Sequence, residues 1–552
     1  MDEGGGVPGV GSFHKTLPHD EFGEVDGAAF ADLVSRLADG ADLEGVPRGR
    51  PDSAPLVNPL GGLAHSGGGG RALAVALPPP PGVQSLSAAA ELTELYWMAL
   101  ARDVSLDHLT ASHPLVEAAV ADLAPLCAAA VAERTPGALR LGLDLPVAPR
   151  GLDLRPATLF RCGLLGEDAG PLVSQLMLHD ACDGARLTVR KQVPYRARVD
   201  YLTDHASWLA AQDGAPPAPE VRAAWVEQTQ ALGPSGGTGR PVWRRAGTMR
   251  DLARFEPGEL PHRPFAEALA QLVAWGARVS AGNPYRGAER RSSGHATLGA
   301  AHVASLVAEV AGRALRAAWY AQWQLHLRLR PEAYAGLMHM QRRGLSGATR
   351  AYGLPEAVFD TAAGSRVSGR GGWFLPVASP HGAPAHPSYA GAHAAVAGAC
   401  ATVLKAWFDE AQTFEELARG ARHPLTGRPV RVVSPGLDPG GPPDGTGGCE
   451  HSSYAGDTSR MSVGGELNKL ASNVALGRCM AGLHWRTDAT RGLRLGERVA
   501  VELLVQVVAD VVESPLRLAF ASFDRHVIEI EKAGDSSAEL RKNGARSGPH
   551  EL

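Results

Sequence analysis

The sequence has few of the features that mark membrane, secreted or nucleic-acid-binding proteins. No stretch reaches the roughly 18 consecutive apolar residues that a membrane helix needs. The first residues are acidic and glycine-rich, rather than a basic leader followed by an apolar run. The formal net charge is −4, which gives the chain no general attraction to nucleic acid or anionic membrane. We therefore expect a cytoplasmic protein that acts on a small molecule.

Cysteine and lysine are both scarce. The wide spacing of the cysteines, with no CxxC pair, argues against structural zinc and predicts reduced, mostly buried thiols. The six are Cys127, Cys162, Cys182, Cys400, Cys449 and Cys479. No lysine occurs between Lys191 and Lys405. A site that depends on lysine in the middle of the chain is therefore excluded.

Helical periodicity dominates between loops that are rich in glycine and proline. It is clearest over residues 300–329, where apolar residues recur at steps of three and four. We expect this helix to end at Pro331, because the residue before a proline is biased out of the α region. Alternating strand-like runs are few, so the prediction is an all-α fold of packed bundles. Further helices are predicted at about 86–103, 114–132, 170–180, 263–280, 392–410, 465–481 and 495–512.

The composition also predicts how the chain is divided. Residues 1–50 are expected to form a partly ordered N-terminal extension, and residues 51–532 a single helical domain. Residues 533–552 are polar and rich in glycine and serine, so a flexible tail is predicted there.

The first segment with chemically useful residues is QWQLHLRLRPEA, residues 322–333. Arg330 is predicted to lie at the C-terminal end of the long helix. A cation there also satisfies the last helical carbonyls, so helix capping is the structural alternative. Gln322 and Trp323 open the segment as candidate substrate contacts, although core packing is the commoner role of a single aromatic residue.

The second segment is HPSYAGAH, residues 386–393. Its small residues Gly391 and Ala392 allow the backbone to approach a ligand, and the following helix offers free N–H groups, which suits an anion. His393, in the first turn, is placed for acid–base chemistry, with packing at a helix start as the alternative. The same segment supplies two further candidate substrate contacts, His386 and Tyr389.

The third segment is GELNKLASNVALGRCMAGLHW, residues 465–485. Arg478 continues the apolar stripe of a predicted helix. A guanidinium on a buried face needs a partner, because an uncompensated buried charge costs several kcal/mol. His484 follows just past Gly482, and Asp488 is close enough to orient it. Together the three segments predict one polar site built from two arginines and two histidines.

In these segments and their order, the sequence resembles the vanadium-dependent haloperoxidases, which are related to the type-2 phosphatidic acid phosphatases. The resemblance covers roughly residues 50–515 and is greatest to the bacterial (actinomycete, cyanobacterial) and algal branch. It implies an all-α fold of two four-helix bundles and a homodimer or larger assembly. It also implies that vanadate would bond to His484, that Arg330 and Arg478 would neutralise its charge, and that His393 would be the acid–base residue.

The sequence departs from the family pattern at three positions. The family also holds vanadate through a lysine eight residues before the first arginine, and through a Ser-Gly-His run. Here the lysine position is Gln322, the serine position Gly391 and the glycine position Ala392. Each hydrogen bond to a charged group is worth about 1.5–3 kcal/mol, so these losses predict roughly a hundred- to ten-thousand-fold weaker anion binding. SSGHAT imitates the motif but precedes Arg330, so His295 is not expected to be catalytic.

The resemblance therefore extends to a vanadate-free branch of the family in actinomycete naphthoquinone–terpenoid pathways of the napyradiomycin type. That branch performs a cofactor-independent α-hydroxyketone rearrangement of a prenylated aromatic substrate. His393 or His484 would be the base and Arg330 and Arg478 the electrostatic stabilisers. Gln322 would be a neutral donor, and the two small residues after Tyr389 and Ala390 would make room for the substrate. The alternatives are a vanadate-containing chloroperoxidase that halogenates a terpenoid–aromatic product, or a non-catalytic partner of one.

Overall fold

The computed structural model describes residues 10–64, 68–109, 113–183, 186–229, 244–255, 260–287, 291–345, 352–422, 427–435, 452–534 and 536–552. The described α-helices are α1 (Gly27–Asp39), α2 (Gly70–Val75), α3 (Leu86–Ala101), α4 (Leu106–Leu109), α5 (Pro114–Ala132), α6 (Gln175–Leu178), α7 (His205–Gln212), α8 (Pro219–Thr229), α9 (Met249–Phe255), α10 (Arg263–Ala274), α11 (Ala300–Tyr320), α12 (Pro331–Arg343), α13 (Ala362–Ser368), α14 (Ala392–Trp407), α15 (Phe414–Gly420), α16 (Val463–Met480) and α17 (Arg486–Asp510). The described strands are β1 (Val147–Ala148), β2 (Gly151–Leu152), β3 (Ala181–Asp183), β4 (Arg186–Thr188), β5 (Val433–Ser434), β6 (Ser452–Ser453), β7 (Arg517–Ala521), β8 (Val527–Gly534), β9 (Ser537–Lys542) and β10 (Ala545–Arg546).

Helices α11, α14, α16 and α17 form the central bundle, and α14 packs against each of the other three. The approach of α14 to α17 is close enough for helix backbones to touch. A Cβ at Gly398 would collide with the main-chain oxygen of Leu493, and one at Gly496 with that of Ala395. Glycine is required at both positions because no side chain fits between the two helices. This contact fixes the start of α14 against the start of α17.

The long helix predicted over residues 300–329 ends earlier than expected. Helix α11 is followed by one π-helical turn, Ala321–His326, and Leu327 then adopts the left-handed conformation with φ of 45°. Arg330 is extended, with φ −73° and ψ 147°, and is the N-cap residue of α12. The placement of Arg330 at a helix C-terminus is therefore wrong. Pro331 begins the second helix instead of ending the first, since proline fits the first helical turn.

The other predicted helices agree with the structure to different degrees. Helix α5 has the predicted bounds, and the predictions near α3, α10, α14 and α16 agree to within a turn or two. The helix predicted at 170–180 is reduced to the single turn of α6. Helix α17 begins at Arg486, well before the predicted start at 495. Two of the glycine- and proline-rich stretches, GPSGGTG at 233–239 and DPGGPPDGTGG at 438–448, are predicted to be loops and lie outside the described residues.

The predicted flexible tail is wrong. Strands β7 to β10 form an antiparallel sheet in the order β10-β9-β8-β7, and only residue 535 of this region is not described. Asn543 and Gly544 both have positive φ, of 51° and 82°, and join β9 to β10, as in the hairpin turns that Asn-Gly favours. Ile528 and Ile530 point to the core and are fully buried. Strands β8 and β9 pack against α17.

The described part of the N-terminal extension packs on the body of the protein. Phe13 meets Trp323 edge-to-face at 5.5 Å, in a buried cluster with Leu17 and α1. The main-chain N–H of Phe13 donates to Leu327 at 2.5 Å. Buried Lys15 pairs with Glu332 at 2.6 Å. The first residues described therefore hold the connection between α11 and α12, on which Arg330 lies.

One described helix, α5, is long and apolar enough to cross a membrane by length and composition alone. It packs against α3, and Asp122 near its middle accepts hydrogen bonds from Trp97 at 2.8 Å and from the N–H of Ala362 at 3.0 Å. These are the contacts of a helix within a folded protein. A single helix of this kind is weak support for a membrane span.

Four of the predicted buried thiols are buried. Cys127, Cys162, Cys400 and Cys479 are each at most 4% exposed. Burial raises the pKa of the Cys127 and Cys162 thiols to about 12, so both are protonated near neutral pH. Cys449 lies outside the described residues.

Candidate active site

His484 lies in the short connection between α16 and α17, where a hydrogen bond to Asp488 orients its ring. Asp488, in the first turn of α17, accepts from His484 Nδ1 at 3.1 Å and from the N–H of Trp485 at 2.9 Å. Burial alone would raise the pKa of Asp488, but Arg328 and His484 lower it to about 2. An ionised Asp488 places the proton of neutral His484 on Nδ1 and directs Nε2 into the site.

Arg330 occupies the position opposite His484. Its Nη1 lies 2.8 Å from His484 Nε2 and donates to the carbonyl of Leu483 at 2.9 Å. Its other hydrogen bonds reach His386 and the carbonyl of Pro387. Within the described part of the chain, no carboxylate forms an ion pair with this buried guanidinium. Burial lowers the pKa of Arg330 to about 9, which indicates an incompletely compensated charge.

His386 and Gln322 form a second layer behind Arg330. His386 Nδ1 lies 2.9 Å from Gln322 Oε1, and Gln322 Nε2 donates to the carbonyl of Ala390 at 2.6 Å. Burial, and then the charge of Arg330, hold the pKa of His386 well below its usual value. The ring of Trp319 lies against His386, with centroids 4.9 Å apart. Both amide atoms of Gln322 are thus engaged within the protein, where they orient His386; its role as a donor to a substrate stays a prediction.

His393 and Arg478 complete the site. Arg478 lies in the last turn of α16, and His393 in the first turn of α14. Burial and then the charges of Arg478, His484 and Arg330 hold the pKa of His393 well below its usual value, so the imidazole is neutral near pH 7. In the structure as described, His393 Nε2 is buried without a hydrogen-bond partner. A neutral imidazole with an uncommitted nitrogen is suited to proton transfer.

The two small residues before His393 have a structural role. Gly391 is the N-cap of α14, and its N–H donates to the main-chain oxygen of Asp488 at 2.9 Å. A Cβ at Gly391 would lie 2.8 Å from that same oxygen. Ala392 is 4% exposed. Gly391 is therefore small because α17 packs against it. The prediction that it makes room for a substrate is not supported by its surroundings.

The remaining predicted residues lie away from this cluster. Trp323 is 1% exposed and packs against the N-terminal segment, so it belongs to the core. Tyr389 is fully buried, and its hydroxyl donates to the carbonyl of Pro78. His295 is exposed in the loop before α11, as expected for a residue outside the site. Among the residues described, no cluster of three or more His, Cys, Asp or Glu side chains could hold a metal ion.

Sequence reasoning missed the polar network that supports the site. Arg328 donates to Asp488 Oδ1 and to Glu91 Oε2, each at 2.7 Å. Glu91 in turn accepts from the N–H and hydroxyl of Thr487, each at 2.7 Å. Strand alternation gives no such signal, because residues two apart in an extended segment, as Arg328 and Arg330 are in LRLRP, point to the same face. Their hydrogen-bond partners in the structure separate them. Arg328 therefore faces the network and Arg330 the site.

His326, in the π-helical turn, provides a test of pH dependence. Burial, then Arg328 and Arg491, lower its pKa to about 4. An unfolded histidine titrates near 6.5, so between these values the unfolded chain binds more protons. The free energy of unfolding should fall as the pH falls from 6.5 to 4, by about 3 kcal/mol from this residue. Urea unfolding across this range should show a shallower pH dependence for His326→Gln, whereas surface variant His295→Gln should follow the wild type.

Comparisons with known proteins place the chain in a family. A family model for the VCPO second helical-bundle domain matches residues 357–513. The chain is 32% identical to a vanadium-dependent bromoperoxidase of Ascophyllum nodosum, covering 95% of this chain and 86% of that protein. It is 28% identical to one of Corallina pilulifera, covering 90% and 87%. The chain belongs to the vanadium-dependent haloperoxidase family.

A solved structure supports the same assignment. The homohexameric structure of the second vanadate-dependent bromoperoxidase from Ascophyllum nodosum matches with a TM-score of 0.77 and 26% identity, covering 98% of this chain and 87% of that one. The predicted helical-bundle fold of the family is thereby confirmed. The C-terminal sheet is an addition that the prediction did not include.

The residues present do not make a complete vanadate site. The histidine and both arginines are retained, but Gln322 replaces the lysine, and its amide is bonded to His386 and Ala390. Gly391 has no hydroxyl, and its N–H is bonded to Asp488. Two donors that the resemblance assigns to vanadate are therefore lost or already engaged within the protein.

Proposed function

We propose that this family member catalyses a cofactor-independent α-hydroxyketone rearrangement of a small prenylated aromatic terpenoid substrate. The observation that carries the proposal is the buried guanidinium of Arg330, which has no carboxylate ion pair in the described residues and lies against neutral His484. Such a group stabilises an oxyanion in a site that excludes water. His393 supplies a neutral base nearby.

The proposed reaction uses these residues without an oxidant or metal. The base removes the proton of the substrate hydroxyl, and a carbonyl forms at the carbinol carbon. The bond from that carbon to the prenyl group breaks, and the group moves with its electron pair to the adjacent carbonyl carbon. The former carbonyl oxygen becomes an alkoxide, which Arg330 and Arg478 stabilise until it takes up a proton. The product is an isomer of the substrate.

A second candidate is vanadium-dependent haloperoxidase activity. The comparisons favour this candidate, because the relatives are bromoperoxidases by name. The retained His484, Arg330 and Arg478 are the residues that the resemblance assigns to vanadate. The incomplete donor set described above favours the first candidate, because both lost contacts are with the anion itself.

The two candidates differ in the mass of their products. Metal-stripped protein would be incubated with a prenylated naphthoquinone that carries an α-hydroxyketone. We expect a product of unchanged mass with the prenyl group moved to the neighbouring carbon. A product that carries halogen, and forms only with vanadate, peroxide and halide, would establish the second candidate instead. Absence of either product, with co-purification of an active haloperoxidase, would indicate a non-catalytic partner.

Restoring the missing lysine tests how far the site has departed from vanadate binding. Gln322→Lys should tighten vanadate binding by about tenfold to a hundredfold, because a charge-assisted hydrogen bond contributes about 1.5–3 kcal/mol. Equilibrium titration with vanadate measures the change. Gln324→Lys adds the same charge on the same turn and should leave affinity within about threefold of wild type. Equal effects of both variants would show that the gain is only a general charge effect.

The assembly and location of the protein remain proposals. We retain the predicted homodimer and cytoplasmic location, while the solved relative is a homohexamer by its description. Analytical ultracentrifugation of the purified chain would distinguish the two assemblies by mass.

A further inference from the structure

A basic cavity lies outside the catalytic cluster, between α17, the loop around residue 142 and the turn that joins β7 to β8. Its volume is about 440 Å³, which is within the range of small-molecule sites. None of the four catalytic candidates lines it. The basic side chains that line it are Arg140, Arg491, Arg494, Arg498, Arg525 and His526.

Local structure explains why these side chains converge. Arg491, Arg494 and Arg498 are three and four residues apart on α17, so they share one face of the helix. Arg525 is the turn residue between the two strands, with φ of 65°. Arg140 lies on the loop that faces them. The cavity therefore depends on the C-terminal sheet, which the sequence did not predict.

Two of the arginines are neutralised within the protein. Arg491 pairs with Asp144 at 2.7 Å, and Arg494 with Asp524 at 2.7 Å. Both also donate to main-chain carbonyls. These two guanidinium groups are structural, because their donors are largely engaged.

Arg140 and Arg525 have no carboxylate partner in the described residues, and Arg498 is bonded there only through Nε and Nη1. Arg498 donates to the main-chain oxygens of Leu552 at 2.9 Å and Ala76 at 3.4 Å. Arg525 reaches only the carbonyl of Gly163, at 3.5 Å. Arg140 is exposed on the cavity rim. The lining thus holds three guanidinium groups with N–H donors available to a ligand, and two of them, Arg140 and Arg525, are exposed.

Apolar side chains also line part of the cavity, beside the arginines and Asp524. They are Leu77, Leu141, Leu143 and Val147. A site with both cationic donors and apolar side chains suits an amphipathic anion. Three separate guanidinium groups match the three terminal oxygens of a tetrahedral dianion better than the two oxygens of a carboxylate.

We propose that this cavity binds a phosphate monoester of an apolar group, with Arg140, Arg498 and Arg525 as the direct ligands of the phosphate. The apolar group lies against the apolar side chains of the lining. Arg491 and Arg494 hold the helix face in place through their pairs with Asp144 and Asp524.

Calorimetric titration with phenyl phosphate tests this proposal, with benzoate as the carboxylate comparison. The double variant Arg140→Gln, Arg525→Gln should weaken phenyl phosphate binding at least about tenfold. Both side chains are exposed, so the variant should fold. Arg498→Gln provides a second, independent variant with an expected loss of the same size. Arg419→Gln, on the surface of α15, is the matched control and should bind as wild type does.

The catalytic cluster is itself cationic and could also bind phenyl phosphate. The variant Arg478→Gln weakens that second site and so separates its binding from binding in the cavity. The proposal requires that Arg478→Gln retains the binding that the cavity variants lose, and that phenyl phosphate binds at least about tenfold more tightly than benzoate. Unchanged binding in both cavity variants would overturn it. The proposal would also be overturned if Arg478→Gln lost all binding of phenyl phosphate, or if the wild type did not bind it.

Discussion

His393→Ala is expected to lower the turnover number for the proposed rearrangement by about 10²–10⁴-fold, the usual contribution of a positioned acid–base residue. Two histidines were equal candidates for the base on sequence alone. His484 Nε2 is bonded to Arg330 and its Nδ1 to Asp488, whereas His393 Nε2 has no partner in the described residues. The geometry therefore favours His393. Because burial keeps the pKa of His393 low, turnover should persist as the pH falls below 6.5.

The measurement is single-turnover kinetics of wild type, His393→Ala and His484→Ala, with the isomeric product as the readout. His484→Ala should show a smaller loss, because it removes a partner of Arg330 instead of the base. His295→Ala is the matched control on the surface and should retain full turnover. A larger loss of turnover in His484→Ala than in His393→Ala would show that His484 is the base and His393 the supporting residue. Full turnover in both variants would contradict acid–base catalysis by either histidine.

Sequence reasoning was most accurate where local pattern decides structure. The segment that contains Arg478 and His484, and the segment that ends in His393, were assigned to helix ends, and the structure brings their polar residues together with Arg330. Periodicity identified α5 and α14 because their apolar residues repeat without interruption. These features depend on neighbours within a few turns along the chain.

Sequence reasoning was least accurate where the role of a residue depends on contacts that are distant along the chain. Pro331 can end one helix or begin another, and the outcome depends on whether the segment before it is extended. That segment is held by Phe13 and Lys15, which come from the other end of the chain. Gln322 seemed a donor for the substrate, but its two partners, His386 and Ala390, lie more than sixty residues away. Spacing within one segment cannot reveal such partners.

The C-terminal sheet shows a different kind of error. The polar composition after residue 533 was given more weight than the alternation in VIEIEK, where Ile528 and Ile530 are buried, and the Asn-Gly turn that follows β9. A half-buried sheet is polar on one face, so composition alone cannot distinguish it from a tail. The proposed anion cavity could not be predicted either, since Arg525 lies in the turn between β7 and β8, and neither strand was predicted.

Glu91→Ala is expected to lower the free energy of unfolding by about 3–5 kcal/mol, because it leaves Arg328 buried with one of its two carboxylate partners removed. Glu91 is 1% exposed and also accepts both hydrogen bonds of Thr487 at the start of α17. Burial raises its pKa against the opposing effect of Arg328. Urea unfolding at constant pH measures the change.

Glu94→Ala is the matched control on the same helix. Glu94 is 5% exposed and pairs with Arg486, at 2.6 Å between Oε2 and Nε, one turn further along α3 and outside the network of Arg328. Both variants should be destabilised to a similar extent, since each removes a carboxylate partner of a buried arginine. Only Glu91→Ala should also lower turnover under conditions where it remains folded, because Arg328 then holds Asp488, and through it His484, less firmly. Equal turnover in the two folded variants would show that the network stabilises the fold without positioning His484.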